Sequence, residues 1–238
     1  MPCALQAIKI LHIMGWKSYF IVVKPVNAVD DAQILKGFGM GDYSPGDEAL
    51  FERAIYPEGD EIYIGQFEDC LLICNVVLSA ECLTDSISSA EAFLMRTFPH
   101  AEIGVFVLQS TVNFWGYAVL ADGQKIRVRA GSSDDGLIIE AGEPLAQEMK
   151  LLSVSTIEAD GRRTYGEYED EPIEEDQMGE EFVFEMAARF FGERLDQADD
   201  DSLFGAKLRR YDPIEVQRMA PRPAVQPEGS DKPWWKFW

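Results

Sequence analysis

Hydrophobic residues in this chain come mostly in short blocks rich in β-branched and aromatic side chains, separated by Gly, Pro, Asn and Asp. The block Lys17 to Val23 (KSYFIVV) is continuous, as expected of a buried strand, and Pro25 and Asn27 punctuate its end. The stretch AVDDAQILKGFGMG then carries apolar positions at helical spacing before a glycine cluster. SPGDEALFERAIY follows, with Ser44 as an N-cap, Pro45 in the first turn and early acids, which predicts a second short helix. PEGDEIYIGQF and DCLLICNVVLS read as two strands joined near Glu68 and Asp69, the second of them open to a helical reading.

A serine cap and the terminating Pro99 predict a helix from about Ser88 to Phe98. EIGVFVLQST, NFWGYAVLA and QKIRVRAG are three strand-like runs, the last two joined at Asp122-Gly123, and they predict an antiparallel meander. In the third run Lys125, Arg127 and Arg129 alternate with Ile126 and Val128, which predicts one basic, solvated face and one buried face. A further strand is expected at Leu137 to Glu140, and a short helix at Glu143 to Leu152 with Pro144 near its start. EEFVFEMAARFFGERL places Phe182, Val183, Met186, Ala187, Phe190, Phe191 and Leu195 on a broad apolar stripe, a helix that docks on the sheet. DDSLFGAKLRRYDP predicts a last short helix capped by Asp201 or Ser202, with order ending close to Tyr211.

These elements make an α+β fold, a mostly antiparallel sheet with helices packed on one face. Two segments stand outside that pattern. Residues 158–181 are dense in like charge with little to bury, which predicts a disordered acidic loop. From Asp212 to Pro233 there are five prolines, the composition of a linker with stiff extended sections and a reach of about 25 Å. The organisation expected is an extension at 1–13, one domain at 14–211, and a Pro-rich linker with an aromatic tail at 212–238.

The 238 residues carry a formal net charge of -21, which disfavours nucleic acid and anionic membranes and favours basic or neutral partners. The N-terminal apolar stretch is interrupted by Lys9 and His12 and lacks a cleavage site, so a cytoplasmic location is expected. Cys3, Cys70, Cys74 and Cys82 are read as reduced, with Cys70 and Cys74 packing as small hydrophobes. With His12 and His100 the only histidines, neither a zinc site nor a histidine-activated nucleophile is expected, and His100 reads as a surface or capping residue. GFGMGD at Gly37 does not sit between a strand and a helix as a phosphate loop would, and no cofactor is expected. A carboxylate-based or metal-dependent hydrolase would draw on Asp134, Asp135, Glu140 and Glu143. The turn at Ser132 to Asp135 is rich in oxygen ligands but lacks the rest of a calcium loop, so no metal is expected.

Several stretches together resemble a bacterial domain family of unknown function. They are MGWKSYFIVV at Met14, PEGDEIYIGQF at Pro57, FWGYAVLADGQKIRVRAGSSDDGLIIEAGEPL at Phe114 and GEEFVFEMAARFFG at Gly179. The resemblance spans Met14 to about Leu195 and brings no catalytic residue with it. It implies that Met1 to Ile13 precede the family's pattern, with Met14 an alternative start of translation.

The most specific feature is DKPWWKFW, in which Trp234, Trp235, Phe237 and Trp238 lie beside Lys232 and Lys236. Three roles compete for it: folding back on the parent domain, docking as a linear motif in a protein partner, and contact with a membrane interface. A single aromatic patch on so anionic a chain is a weak membrane anchor, and aromatic anchors suit partner grooves with an acidic rim. The sequence reading is therefore a non-enzymatic protein-interaction domain whose protein partner is held by the tail. The alternatives are an acidic inhibitor or immunity-type protein covering a basic partner, and the hydrolase above. Oligomeric state is left open.

Overall fold

The computed structural model describes residues 15–168, 171–199 and 202–214. The expected extension at 1–13, with Cys3 and His12, and the aromatic motif lie outside the described residues.

The chain begins with β1 (Lys17–Lys24), continues through α1 (Asp31–Gly37), β2 (Tyr43–Leu50) and α2 (Phe51–Ala54), and forms the hairpin β3 (Ile62–Phe67) and β4 (Cys70–Cys74). Helices α3 (Val76–Glu81) and α4 (Ser89–Thr97) follow, then the meander β5 (Glu102–Gln109), β6 (Phe114–Ala121), β7 (Gln124–Ser132) and β8 (Gly136–Ala141). After α5 (Ala146–Leu152) come β9 (Ser155–Ile157), β10 (Arg163–Tyr168) and β11 (Glu171–Glu174), then α6 (Gly179–Phe191) and β12 (Lys207–Pro213). The main sheet has nine strands in the order β2-β12-β3-β4-β1-β5-β6-β7-β8, and β11-β10-β9 form a separate three-stranded sheet. Neighbouring strands pair antiparallel throughout.

Local chemistry sets many of these boundaries. Asp30 caps α1 by accepting from the Ala32 amide at 3.0 Å. Asn75 caps α3 through the Leu78 amide at 2.9 Å, which divides the DCLLICNVVLS run into a strand and a helix. Ser88 and Glu91 close a reciprocal capping box on α4. At the β6–β7 hairpin Asp122 and Gly123 both take positive φ, 51° and 74°, the turn whose twist matches the paired strands.

The α+β class, the antiparallel sheet and the meander agree with the sequence reading, but the helices cover both faces of the sheet, not one. Phe20, Val22, Cys70, Leu72, Phe106, Tyr117 and Val119 pack beneath α2, α5 and α6. Tyr19, Ile21, Val23, Leu71, Ile73, Val105 and Val107 pack beneath α1, α3 and α4. Two covered faces explain why β1 and β5 are apolar without alternation, the pattern of strands with no solvated side.

Three further expectations are corrected. Tyr43–Leu50 is an edge strand, and only Phe51–Ala54 is helical in that segment. Ser44 and Pro45 imitate a helix start, but β12 supplies a distant ladder partner, and an edge strand tolerates a proline. The expected final helix is a single 3₁₀ turn at Leu203–Gly205 followed by β12, which inserts between β2 and β3 and runs past Tyr211 to Pro213. The expected acidic loop 158–181 carries β10, β11 and the start of α6, because Tyr165, Ile173 and Met178 give it an apolar side that packs on the core of the main sheet.

Candidate functional site

The expected basic face of β7 is the most heavily charged part of the interior. A bulge between β6 and β7 pairs Leu120 with Lys125 but Val119 with Arg127. The extra residue, Ile126, sends Lys125 to the face under α4, while Arg127 and Arg129 point under α5 and α6. The single solvated basic stripe is thereby replaced by two buried charge clusters.

In the first cluster the Arg127 guanidinium, fully buried, grips Glu148 of α5 through Nε at 2.9 and 3.0 Å and Nη2 at 2.6 Å. Arg127 also donates to Glu140 Oε1 at 2.8 Å and to the Gly142 carbonyl at 2.7 Å. Burial works against its charge, but the hydrogen bonds to Glu148 and Glu140 outweigh it and hold the guanidinium above its ordinary range. Glu140 sits opposite Arg129 on β8. Its partial burial favours the neutral acid, yet the hydrogen bond from Arg127 and the Arg129 charge win, so its pKa lies below the usual value.

Arg129, also fully buried, donates from Nη2 to Glu175, and its Nε lies 3.4 Å from Glu140 Oε1. The guanidinium is flanked by aromatic faces, with its central carbon 4.5 Å from the Phe182 ring centroid and 5.5 Å from that of Trp115. Tyr165 of β10 donates its hydroxyl to the same Glu175 oxygen at 2.9 Å. Burial pushes the Glu175 carboxyl up, and the nearby Arg129 charge only partly counters this. The Tyr117 hydroxyl, directly across from Arg129 on β6, is pushed well up by burial and then by the Glu148 charge. Arg129 Nη1 and Trp115 Nε1 are buried with no hydrogen-bond partner among the described residues. The cluster meets solvent at Glu140 and Arg163, which are partly exposed.

The second cluster is a clamp. Lys125 Nζ lies 2.8 Å from Glu91 Oε1, with both side chains essentially removed from solvent. The same ammonium donates to the carbonyls of Cys82, Thr84 and Ser86, each at 2.8 Å, and so pins the α3–α4 connection.

Of the four carboxylates named as hydrolase candidates, only Glu140 enters a cluster, and it is held there by two arginines. Asp134 and Asp135 are exposed in the β7–β8 turn, where the Ser132 hydroxyl bonds the Asp135 amide and carboxylate, and Glu143 is exposed beyond β8. Among the described residues no group of three or more His, Cys, Asp or Glu side chains could hold a metal ion. His100 is exposed. Cys70, Cys74 and Cys82 are free and buried. Burial pushes the Cys70 thiol up to about 11 and the Cys82 thiol up to about 12, which leaves both poor nucleophiles at neutral pH. Lys232, Trp234, Trp235, Lys236, Phe237 and Trp238 lie outside the described residues.

Glu148, Tyr165 and Glu175 were not singled out by the sequence reading. The available signal was a strand with three basic residues in a chain short of positive charge, which demanded acidic partners from elsewhere. Among the described residues no helix is long and apolar enough to cross a membrane. No curated protein and no solved structure matches the chain. The model of a family of unknown function (DUF6928) matches residues 31–209, a span that runs from α1 into β12 and contains both charge clusters, and the chain belongs to that family.

Proposed function

We propose that this protein is a non-enzymatic interaction module: an α+β body that carries a partner-docking motif of Trp234, Trp235, Phe237 and Trp238 with Lys232 and Lys236. The observation that carries the reading is the motif's composition and position. Four aromatic residues fall within five positions, beyond the last strand of the sheet and beyond the span matched to the family. Trp and other large aromatics dominate binding hot spots because they bury much area at little conformational cost. The two lysines suit a groove with an acidic rim. Within the body, Lys125 and Arg127 each donate to several protein acceptors and so are engaged internally.

The test is photo-crosslinking in native lysate with a photoreactive amino acid at Trp235, beside the chain carrying W234A, F237A and W238A on the same background. The expected outcome is one defined crosslinked protein that persists at high salt and is lost with the triple variant, since aromatic burial is nearly insensitive to screening. The same adducts from both chains, or no adduct from either, would overturn the proposal.

A further inference from the structure

The two buried arginines of β7 lie two residues apart on one face, yet they are treated differently. Arg127 meets two carboxylate oxygens of Glu148, one of Glu140 and the Gly142 carbonyl. Arg129 has Glu175 at Nη2 and a distant share, at 3.4 Å, of the Glu140 oxygen that Arg127 already holds at 2.8 Å. Its Nη1 meets no acceptor among the described residues, and neither does Trp115 Nε1. Buried donors of this kind are ordinarily satisfied, and a charged one most of all.

The donors are linked by α6. Phe182, in its first turn, stacks on Trp115 at 5.9 Å between ring centroids and lies under the Arg129 guanidinium. Gly179, the first residue of α6, lies so close to the indole that a Cβ there would come within 2.6 Å of Trp115 Nε1. No side chain caps this 13-residue helix, although Glu180 and Glu181 in its first turn set carboxylates against its positive end. Two unpartnered donors, one of them on a charged group, thus lie in a setting where charge is weakly screened.

We infer that Arg129 Nη1 and Trp115 Nε1, at the start of α6, form a binding site for a small monovalent anion, a halide or the carboxylate of a very small acid. The aromatic rings on either side of Arg129, and the close approach of Gly179 to the indole, favour a small ion over a tetrahedral dianion. Local charge balance points the same way. Three arginines, Arg127, Arg129 and Arg163, face three carboxylates, Glu140, Glu148 and Glu175. A monovalent anion adds less uncompensated charge to that balance than a dianion would. Entry is past Glu140 and Arg163, where the cluster meets solvent.

The test uses the full chain in a halide-free buffer of constant ionic strength set with sodium gluconate, whose anion is too large for the site. Chloride, bromide, nitrate, formate and phosphate are titrated while melting temperature is read. The expected result is a saturable rise with chloride or bromide, or with formate if the site prefers carboxylates, and none with phosphate. Trp115→Phe keeps the stacked ring and removes the N–H, so it should fold normally and raise the half-saturation concentration about tenfold. Arg129→Lys should do so more strongly. A bromide-soaked crystal should show an anomalous peak within hydrogen-bond distance of both nitrogens. The inference is overturned if the anions act alike without saturation, if Trp115→Phe leaves the half-saturation concentration unchanged, or if bromide sits elsewhere.

Discussion

Removing the charge of Glu148 should destabilise the protein far more than removing the whole Arg127–Glu148 pair. Both side chains are buried, and the guanidinium makes three contacts of 2.6 to 3.0 Å to the carboxylate. In Glu148→Gln the isosteric amide still fills the space, but Arg127 loses its main counter-charge in a place where water cannot replace it. Breaking such a pair from one side costs about 3–5 kcal/mol. At about 2–4 °C per kcal/mol for a domain of this size, the melting temperature should fall by about 6–20 °C. The double replacement Arg127→Met with Glu148→Leu removes both desolvation penalties and fills a similar volume, and should lie within about 1.5 kcal/mol of the wild type. Urea unfolding of the wild type, Arg127→Met, Glu148→Leu and the double variant closes the cycle, with Glu148→Gln measured beside them and the slope checked for constancy. If Glu148→Gln costs under about 1 kcal/mol, the pair behaves as a screened surface bridge and the buried-cluster argument fails. A double variant as unstable as the worse single one would also refute it.

Lys125→Met should cost about 3–5 kcal/mol by leaving the buried Glu91 carboxylate without its cation, and hydrogen exchange should show α4 and the α3–α4 connection loosened before the meander. Glu175 has its folded pKa raised above the ordinary 4.5 by burial, so the folded state binds more protons than the unfolded state in the window just above 4.5. Stability should therefore fall as pH rises through that window, and Glu175→Gln should flatten this limb in urea midpoints measured against pH. Glu140, whose pKa is lowered, acts oppositely, its contribution being lost as pH falls below the ordinary value. Gly179→Ala would drive a Cβ into the Trp115 indole, and it should cost about 1–3 kcal/mol and alter the near-ultraviolet circular dichroism of the stacked indole.

The features that short-range chemistry controls were legible in the sequence. Ser88 with Glu91 three residues on marks the start of α4, Asp122-Gly123 marks the β6–β7 turn, and the apolar stripe from Phe182 to Phe190 marks α6. Each depends on residues within about one turn of one another, so the local sequence determines it whatever the rest of the chain does. The burial of Cys70 and Cys74 was equally plain, because a thiol in an apolar run has nowhere else to go.

Tertiary structure decided what depended on distant partners. Tyr43–Leu50 carries the marks of a helix start, and it is a strand because β12, more than 150 residues later, offers it a ladder. The acid-rich segment from 158 reads as unfoldable on composition, and it folds because Tyr165 and Glu175 find Arg129. The site was least legible of all. Arg127 and Arg129 follow a strand alternation that sequence assigns to solvent, and whether such a face is wet or buried is set by what packs on it. One unpaired residue, Ile126, sends Lys125 to the opposite side, and helices from far along the chain bring Glu148 and the aromatic cover. Sequence determines hydrogen bonding and periodicity over a few residues, while charge pairing in the interior is determined by which distant segments exclude water together.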